Sequence, residues 1–426
     1  MPRPILITGS AELLTLRGSS PRRGRELREL GLIRDGALLI EDDRIAAVGT
    51  RKAVLRHPLA RRARKIDVEG RVVLPGFVDS HTHLVCAASR AAEYEHRIGG
   101  ATYEQIARAG GGIVNSVKRL RSAAPESLEA RAMWALEEFA RHGTTTIEAK
   151  SGYGLNAESE LKTLRLHRKL AARQPVEIVS TFLGAHVVPP EYRKRENGAD
   201  DYVKFLATRL IPRVADEGLA EFCDVYCERG AFNMKQSRTV LIAGDRCGLV
   251  PRIHAEQLSR SGAARLAIEM KAASADHLEH VNTADIRALA KSGVVATLLP
   301  GCCFHLGEKH YAPARELIDA GTIVALATDY NPGTSPTLSM SMILSLACTQ
   351  LRMTPAEAIC AATINAAHSL RRAGRHGSLE VGKFADLAVF DVADYREIPY
   401  YFGVNLCVLT MKRGKVVHSR APMDVG

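Results

Sequence analysis

Two hydrophobic rhythms alternate along this chain of 426 residues. At both ends apolar positions come in short runs broken by acidic or glycine-containing turns. "GALLIEDDRIAAVGT" sets two such runs about an acidic turn, and "CVLTMKRGKVVHS" sets two about "RGK". Each pattern predicts a β-hairpin. "GSLEVGKFADLAVFDV" reads as small-sheet material of the same kind. The middle of the chain differs. "PESLEARAMWALEEFARHG" carries apolar residues at three- and four-residue spacing, opens with Pro125 and stops at Gly143, which predicts a helix. The β-branched run "TTTIEAK" follows at once. Helix, glycine, short apolar strand and polar residue then recur: "LAKSG" leads into "VVATLLP", and "ELIDAG" into "TIVALATD". Strands alternating with helices predict a parallel sheet.

The strand candidates number about eight, the count that closes a (β/α)8 barrel. In order they are "VLPGFVDSHTH", "TTTIEAK", "VEIVSTFLGAH", "FCDVYCE", "PRIHAE", "SADHLEH", "VVATLLP" and "TIVALATD". The two ends of the chain, both sheet-like, join into one further small domain, since termini often lie close together.

Such a barrel carries its chemistry at the C-terminal ends of its strands. Here those ends bear His81 and His83, Lys150, His186, Glu228, His254, His277 and Asp329. Residues i and i+2 of a strand share a face, so His81 and His83 project side by side. One histidine at a strand end is more often a hydrogen-bonded structural residue than a ligand. Several from different strands, all aimed at one rim, are expected to form a site. Three neutral imidazoles and one carboxylate suit zinc or non-haem iron rather than magnesium or calcium. His81, His83, His254 and Asp329 would make a mononuclear site with room for water, and such an ion supplies a nucleophile from water near neutral pH.

Composition changes this picture little. The chain is 46% hydrophobic and 25% charged, as in ordinary globular proteins. The net charge of +11 gathers in arginine clusters, "RRGRELRELG" and "RHPLARRARK". No aromatics interleave them, so they read as solvated surface rather than a nucleic-acid site. Nine cysteines lack regular spacing and no CxxC occurs, which fits a reducing compartment. The first residues have no signal-peptide core, because Glu12 interrupts the apolar stretch. The longest uncharged run holds proline, glycine and many hydroxyls, which argues against a membrane span. A cytoplasmic protein with no membrane or nucleic-acid partner is the expectation.

"GFVDSHTH" on strand one, histidines on strands five and six and "TD" at the end of strand eight resemble the amidohydrolase superfamily. The resemblance covers nearly the whole chain. It implies a TIM-like (β/α)8 barrel over residues 73–374 and a composite β-sandwich built from residues 1–72 and 375–426. Relatives with two metals bridge them through a lysine on strand four. "FCDVYCE" has none, so one Zn2+ or Fe ion per subunit is expected. Lys150, on strand two, is given a surface or substrate role.

Finer motifs narrow the resemblance: "HTHLVCAASRAAEYEHRIGGATYEQIARAGGGI", "EAKSGYGL", "FLGAHVVPPEY", "HAEQ", "SADHLEH" and "TDYNPGTSPT". They are similar to the branch that opens the lactam ring of 4-imidazolone-5-propanoate, giving N-formimidoyl-L-glutamate in histidine degradation. That implies a small anionic substrate and a homodimer. Carried over residue by residue, it implies that His81, His83, His254 and Asp329 hold the metal. Arg90, Tyr153, His186, Gln257, Asn331, Gly333 and Thr334 contact substrate, and His277 acts as acid/base or carbonyl-polarising residue beside Asp329. An arginine can clamp a propionate bidentately, and a glycine at 333 lets backbone approach the ring. Related deaminases keep a glutamate three residues after the strand-five histidine, whereas this chain has Gln257, which cannot titrate. Glu256 is adjacent, but on a strand it points the other way. Proton transfer therefore falls on His277 and Asp329. The alternatives are another cyclic amidohydrolase or a nucleobase deaminase on the same scaffold and, more remotely, a non-catalytic scaffold relative.

Overall fold

A computed structural model describes residues 3–101, 105 and 111–420. Eight parallel strands follow one another around a single sheet in sequence order. They are Phe77–Asp79, Thr144–Lys150, Glu177–Ala185, Phe222–Cys227, Val250–Ala255, Ser274–His277, Val295–Leu298 and Ile323–Leu326, called strands one to eight below. Closure comes just past strands one and eight. There Thr82 bridges Tyr330, His83 N donates to Tyr330 O at 2.8 Å, and Asp329 N donates to His81 O at 3.0 Å. The fold is the expected (β/α)8 barrel.

The helices form its outer layer. Pro125–Arg141 shows how sequence decides the packing. Proline sits in its first turn, where no amide partner is lost. Its buried residues Leu128, Ala132, Ala135, Leu136, Phe139 and Ala140 recur at helical spacing and pack on Ile147 and Ala149 of strand two. Burying each large side chain there contributes about 1.5–3 kcal/mol.

Two smaller sheets flank the barrel. One pairs Ile5–Thr8, Gly36–Glu41, Arg44–Thr50 and Arg64–Asp67. The other runs Lys415–Ser419, Cys407–Lys412, Leu387–Phe390, Val72–Pro75, Glu12–Leu14 and Leu32–Arg34, so it takes strands from both ends of the chain. Both expected hairpins are present as antiparallel pairs. Ile7, Leu38 and Ile45 of the first sheet and Leu13, Val73, Val389 and Met411 of the second meet in one apolar cluster.

One strand differs from expectation. "VLPGFVDSHTH" does not run as a single barrel strand. Val72–Pro75 pairs antiparallel with Leu387–Phe390 in the small sheet, and only Phe77–Asp79 enters the barrel. The cause is a change of partner between neighbouring amides. Gly76 N donates to Asp386 O at 3.1 Å, and Phe77 N donates to Gly143 O at 2.9 Å. Pro75 has no amide to continue either ladder.

All nine cysteines are free thiols. Among the described residues no helix is long and apolar enough to cross a membrane.

Candidate active site

His81 and His83 lie just beyond the end of strand one rather than within it, where the Thr82 bridge keeps the strand-like alternation going. Ligand atoms of His81, His83 and His254 all fall within 4.8 Å of one another, and all three side chains are buried. Asp329 Oδ1 joins them, 3.5 Å from His81 Nε2 and 3.6 Å from His83 Nε2. His277, at the end of strand six, has its ring centroid 5.7 Å from that of His81 and 5.4 Å from that of His254.

These histidines are held by carboxylates inside the barrel. His81 Nδ1 lies 2.7 Å from Asp276 Oδ2, and His254 Nδ1 lies 3.1 Å from Asp224 Oδ2. A carboxylate only accepts, so each Nδ1 carries the proton and each Nε2 presents a lone pair. Both Nε2 atoms are buried and have no hydrogen-bond partner. Buried polar atoms are seldom left unmatched. An ion with affinity for imidazole answers both orphans at once, so the residues fit a zinc or iron ion. Burial first, then Lys150, holds His81 well below the usual imidazole range; burial, then His186, does the same for His83. Both stay neutral, as ligands must.

The two carboxylates belong to a charge network that fills the barrel. Lys150 Nζ lies 2.7 Å from Glu148 Oε1, 2.8 Å from Asp224 Oδ2 and 3.7 Å from Asp276 Oδ2. Arg252 Nη2 lies 3.4 Å from Asp276 Oδ2. All five side chains are fully buried. Lys150 is therefore neither on the surface nor against substrate, contrary to expectation. It sits beneath the site, and the surrounding acids explain why a lysine there is tolerated. Glu228 also differs from its fellow strand-end residues. It accepts from Leu258 N at 2.9 Å and Ser259 N at 3.3 Å, and so pins the loop after strand five instead of facing the site.

Three strand ends carry non-glycine residues with positive φ: Glu256 at 55°, His277 at 83° and Asp329 at 54°. Such backbone costs about 1–3 kcal/mol per residue and persists where surrounding structure over-determines it, commonly at active sites. At His277 it brings Glu279 Oε1 to 3.5 Å from Nδ1. Burial opposes a charge on His277, but the Glu279 carboxylate with Asp329 and Asp276 together outweigh it, and the imidazole lies above its usual value. Burial likewise lifts the Asp329 carboxyl to about 6, against the pull of His277 and His254. Glu256, just past the end of strand five, accepts from Ser261 N at 2.8 Å.

A cavity of about 530 Å³ opens over these groups. It is lined by His83, His254, His277 and Asp329, and by all seven residues expected to touch substrate: Arg90, Tyr153, His186, Gln257, Asn331, Gly333 and Thr334. Gly152 explains the loop that carries Tyr153. Its φ is 108°, and a Cβ there would lie 2.9 Å from Leu183 O and 3.1 Å from His186 Nδ1. Bare backbone lets Gly152 O approach His186 Nδ1 to 3.0 Å. His186 must donate there, so its Nε2 is an acceptor, and burial holds the ring neutral with a pKa of about 3. His186 also stacks on His83 with centroids 5.2 Å apart. Asn331 spends its amide locally, Oδ1 accepting from Gly333 N and Thr334 N at 2.8 Å each. A Cβ at Gly333 would lie 2.1 Å from Arg90 Nη1, so the guanidinium sits against the bare backbone there. Of the motif "RAGGGI", Arg108 to Gly110 lie outside the described residues. A larger cleft of about 880 Å³ opens at the other end of the barrel, among Lys271, Lys291 and Arg371 ahead of strands six and seven, away from these groups.

The interior network was missed from sequence, as were Glu279 and the pocket residues Glu93, Arg97 and Tyr226. A signal existed for part of it. Glu148 and Arg252 stand two residues before Lys150 and His254 on their strands, and so share their inward face.

The model of the amidohydrolase family matches residues 87–418. The chain is 49% identical over 419 residues to an imidazolonepropionase of Geobacillus kaustophilus (strain HTA426), covering 97% of this chain and 98% of that one. It is 49% identical over 411 residues to an imidazolonepropionase of Solibacter usitatus (strain Ellin6076), covering 96% and 97%. In fold it is similar to a crystal structure of an adenosine deaminase from Xanthomonas campestris with bound zinc, with a TM-score of 0.71 at 18% identity over 99% of this chain and 94% of that one.

Proposed function

Since the chain belongs to the amidohydrolase family and, within it, to the imidazolonepropionases, we propose that it hydrolyses 4-imidazolone-5-propanoate to N-formimidoyl-L-glutamate in histidine degradation. The observation that carries this reading is the single cavity in which ligand-type histidines, a guanidinium and a neutral imidazole acceptor surround the same space.

His81, His83, His254 and Asp329 are the residues that would hold one zinc or iron ion per chain. Bound there, such an ion supplies Lewis acidity and activates water near neutral pH. The remaining work belongs to the chain. His277, kept proton-rich by Glu279, donates to the lactam oxygen as negative charge builds on it. Asp329, whose carboxyl is poised near 6, takes a proton from the attacking water and passes it to the departing ring nitrogen. The bond between carbonyl carbon and that nitrogen breaks. The carbon keeps the water oxygen as a new carboxylate, and the nitrogen becomes the formimidoyl NH. His186 Nε2 accepts from a ring N–H, Tyr153 and Gln257 bound the ring, and Arg90 with the Asn331–Thr334 turn receives the propionate. The exposed aromatic run Tyr400, Tyr401 and Phe402 supports a homodimer.

The test is turnover of imidazolonepropanoate beside hydantoins, guanine and cytosine, with products identified by mass. Ring opening of the first, far above the others, is expected. Turnover of another substrate but not of imidazolonepropanoate would overturn the reading.

A further inference from the structure

Arg90 cannot by itself supply net positive charge to an anionic ligand. Its Nε and Nη2 lie 2.7 and 2.6 Å from Glu93 Oε2, and the pair is formally neutral. Glu93 is fixed in turn by Gly112 N at 2.9 Å and Asn115 Nδ2 at 3.4 Å. Only Arg90 Nη1 is turned away from Glu93, into the space that a side chain at 333 would fill.

Four residues after Glu93, on the same face of helix Ala91–Ile98, stands Arg97. Its Nη1 lies 3.5 Å from Gly333 O and its Nη2 3.2 Å from His305 O, with the guanidinium 5.5 Å from the Tyr94 ring centre. The two arginines thus converge on Gly333 from different sides. Arg97 lines the same cavity. Among the described residues no carboxylate pairs with it, and its Nε is buried with no hydrogen-bond partner. A guanidinium does not escape by losing its proton. Among the described residues Glu93 pairs with Arg90 and no carboxylate pairs with Arg97, so the two cations at Gly333 have one ion-pair partner between them.

We propose that Arg97 is the second cation of a carboxylate subsite at the cavity mouth, gripping the anionic tail of the ligand together with Arg90 Nη1 across Gly333. Arg97 thereby sets the preference for acids over neutral analogues. The inference rests on the proposed function for the identity of the ligand, but not for the charge preference itself.

The experiment compares the metal-loaded wild type with Arg97→Gln and Arg97→Lys. Kinetics are measured on imidazolonepropanoate and its propanamide, and binding on 3-(imidazol-4-yl)propanoate and its amide by calorimetry. A charge-assisted contact of this kind predicts that Arg97→Gln raises KM for the acid about 10- to 100-fold and weakens the acid analogue to match, with kcat changed far less. KM and affinity for the amides should stay within about twofold, inside the factor of ten that 1.4 kcal/mol represents, and Arg97→Lys should recover most of the acid preference. An equal loss for acid and amide, which leaves their ratio unchanged, would mean that Arg97 only props the helix, and no loss for either would mean that it does not meet the ligand; either result overturns the proposal. Failure of the wild type to open imidazolonepropanoate sinks the proposed function instead, and the calorimetric ratio still decides the role of Arg97.

Discussion

Replacing Lys150 with methionine removes one charge from the sealed interior of the barrel without changing the length of the side chain much. Lys150 Nζ touches Glu148 at 2.7 Å and Asp224 at 2.8 Å, with Asp276 at 3.7 Å. At an effective dielectric constant of 20, one contact at 2.8 Å is a gross attraction of about 6 kcal/mol. Most of that offsets the cost of taking the ions out of water. The quantity that matters is what remains after the lysine goes: three buried carboxylates facing Arg252 alone. Breaking a buried pair in this way costs about 3–5 kcal/mol. A second effect follows, because Asp224 and Asp276 orient His254 and His81. Loss of such a supporting carboxylate interaction weakens metal affinity about 10- to 100-fold. The assay is equilibrium urea unfolding of the metal-free protein, paired with metal competition against a fluorescent chelator. Lys271→Met, at an exposed position, serves as control and should change stability by no more than about 0.5 kcal/mol. A Lys150→Met protein within 1 kcal/mol of wild type, binding metal equally well, would refute the reasoning that this network holds the site.

His277→Ala should lower kcat by about 10²- to 10⁴-fold while metal content by atomic absorption stays at the wild-type level. Arg90→Ala should act chiefly on KM, and an unchanged KM would exclude Arg90 from the propionate subsite. Metal affinity should be flat above about pH 6 and fall by about tenfold per pH unit below it. Burial raises the Asp329 carboxyl to about 6, its protonated form cannot ligate, and His81 and His83 are already neutral in that range. The sign reverses for the metal-free fold. Between about pH 4, near the unfolded carboxyl value, and about 6 the folded protein binds an extra proton at Asp329, so this group's contribution to stability falls as pH rises through that window. Chelator competition between pH 5 and 8 and urea midpoints over the same range check both signs.

The barrel was legible in the sequence because strands two, seven and eight are short and β-branched and each follows a helix stopped by a glycine, and because most strand candidates end on a histidine, a lysine or a carboxylate. Seven of the eight candidate segments contain a barrel strand much as read, and the first was read too long. Val72–Pro75 and Phe77–Asp79 form one apolar run, and period-two alternation does not say which sheet a strand joins. The metal ligands were legible because histidine at a strand end is conspicuous against apolar residues. The network beneath them was not, because Lys150, Asp224, Arg252 and Asp276 come from strands two, four, five and six, and their pairing appears only when the barrel closes. Arg97 was hidden for the opposite reason: helix Ala91–Ile98 is so charged that it reads as a solvated surface.

The central claim is that imidazoles distant in sequence gather with Asp329 around one ion that the reaction requires. Titration of metal-free protein with zinc or iron(II), followed by the rate of imidazolonepropanoate ring opening, tests it most directly. The rate should rise in proportion to added metal and break sharply at one ion per chain, with no such rise in His254→Ala. Full turnover without metal, or a break at two ions per chain, would contradict it.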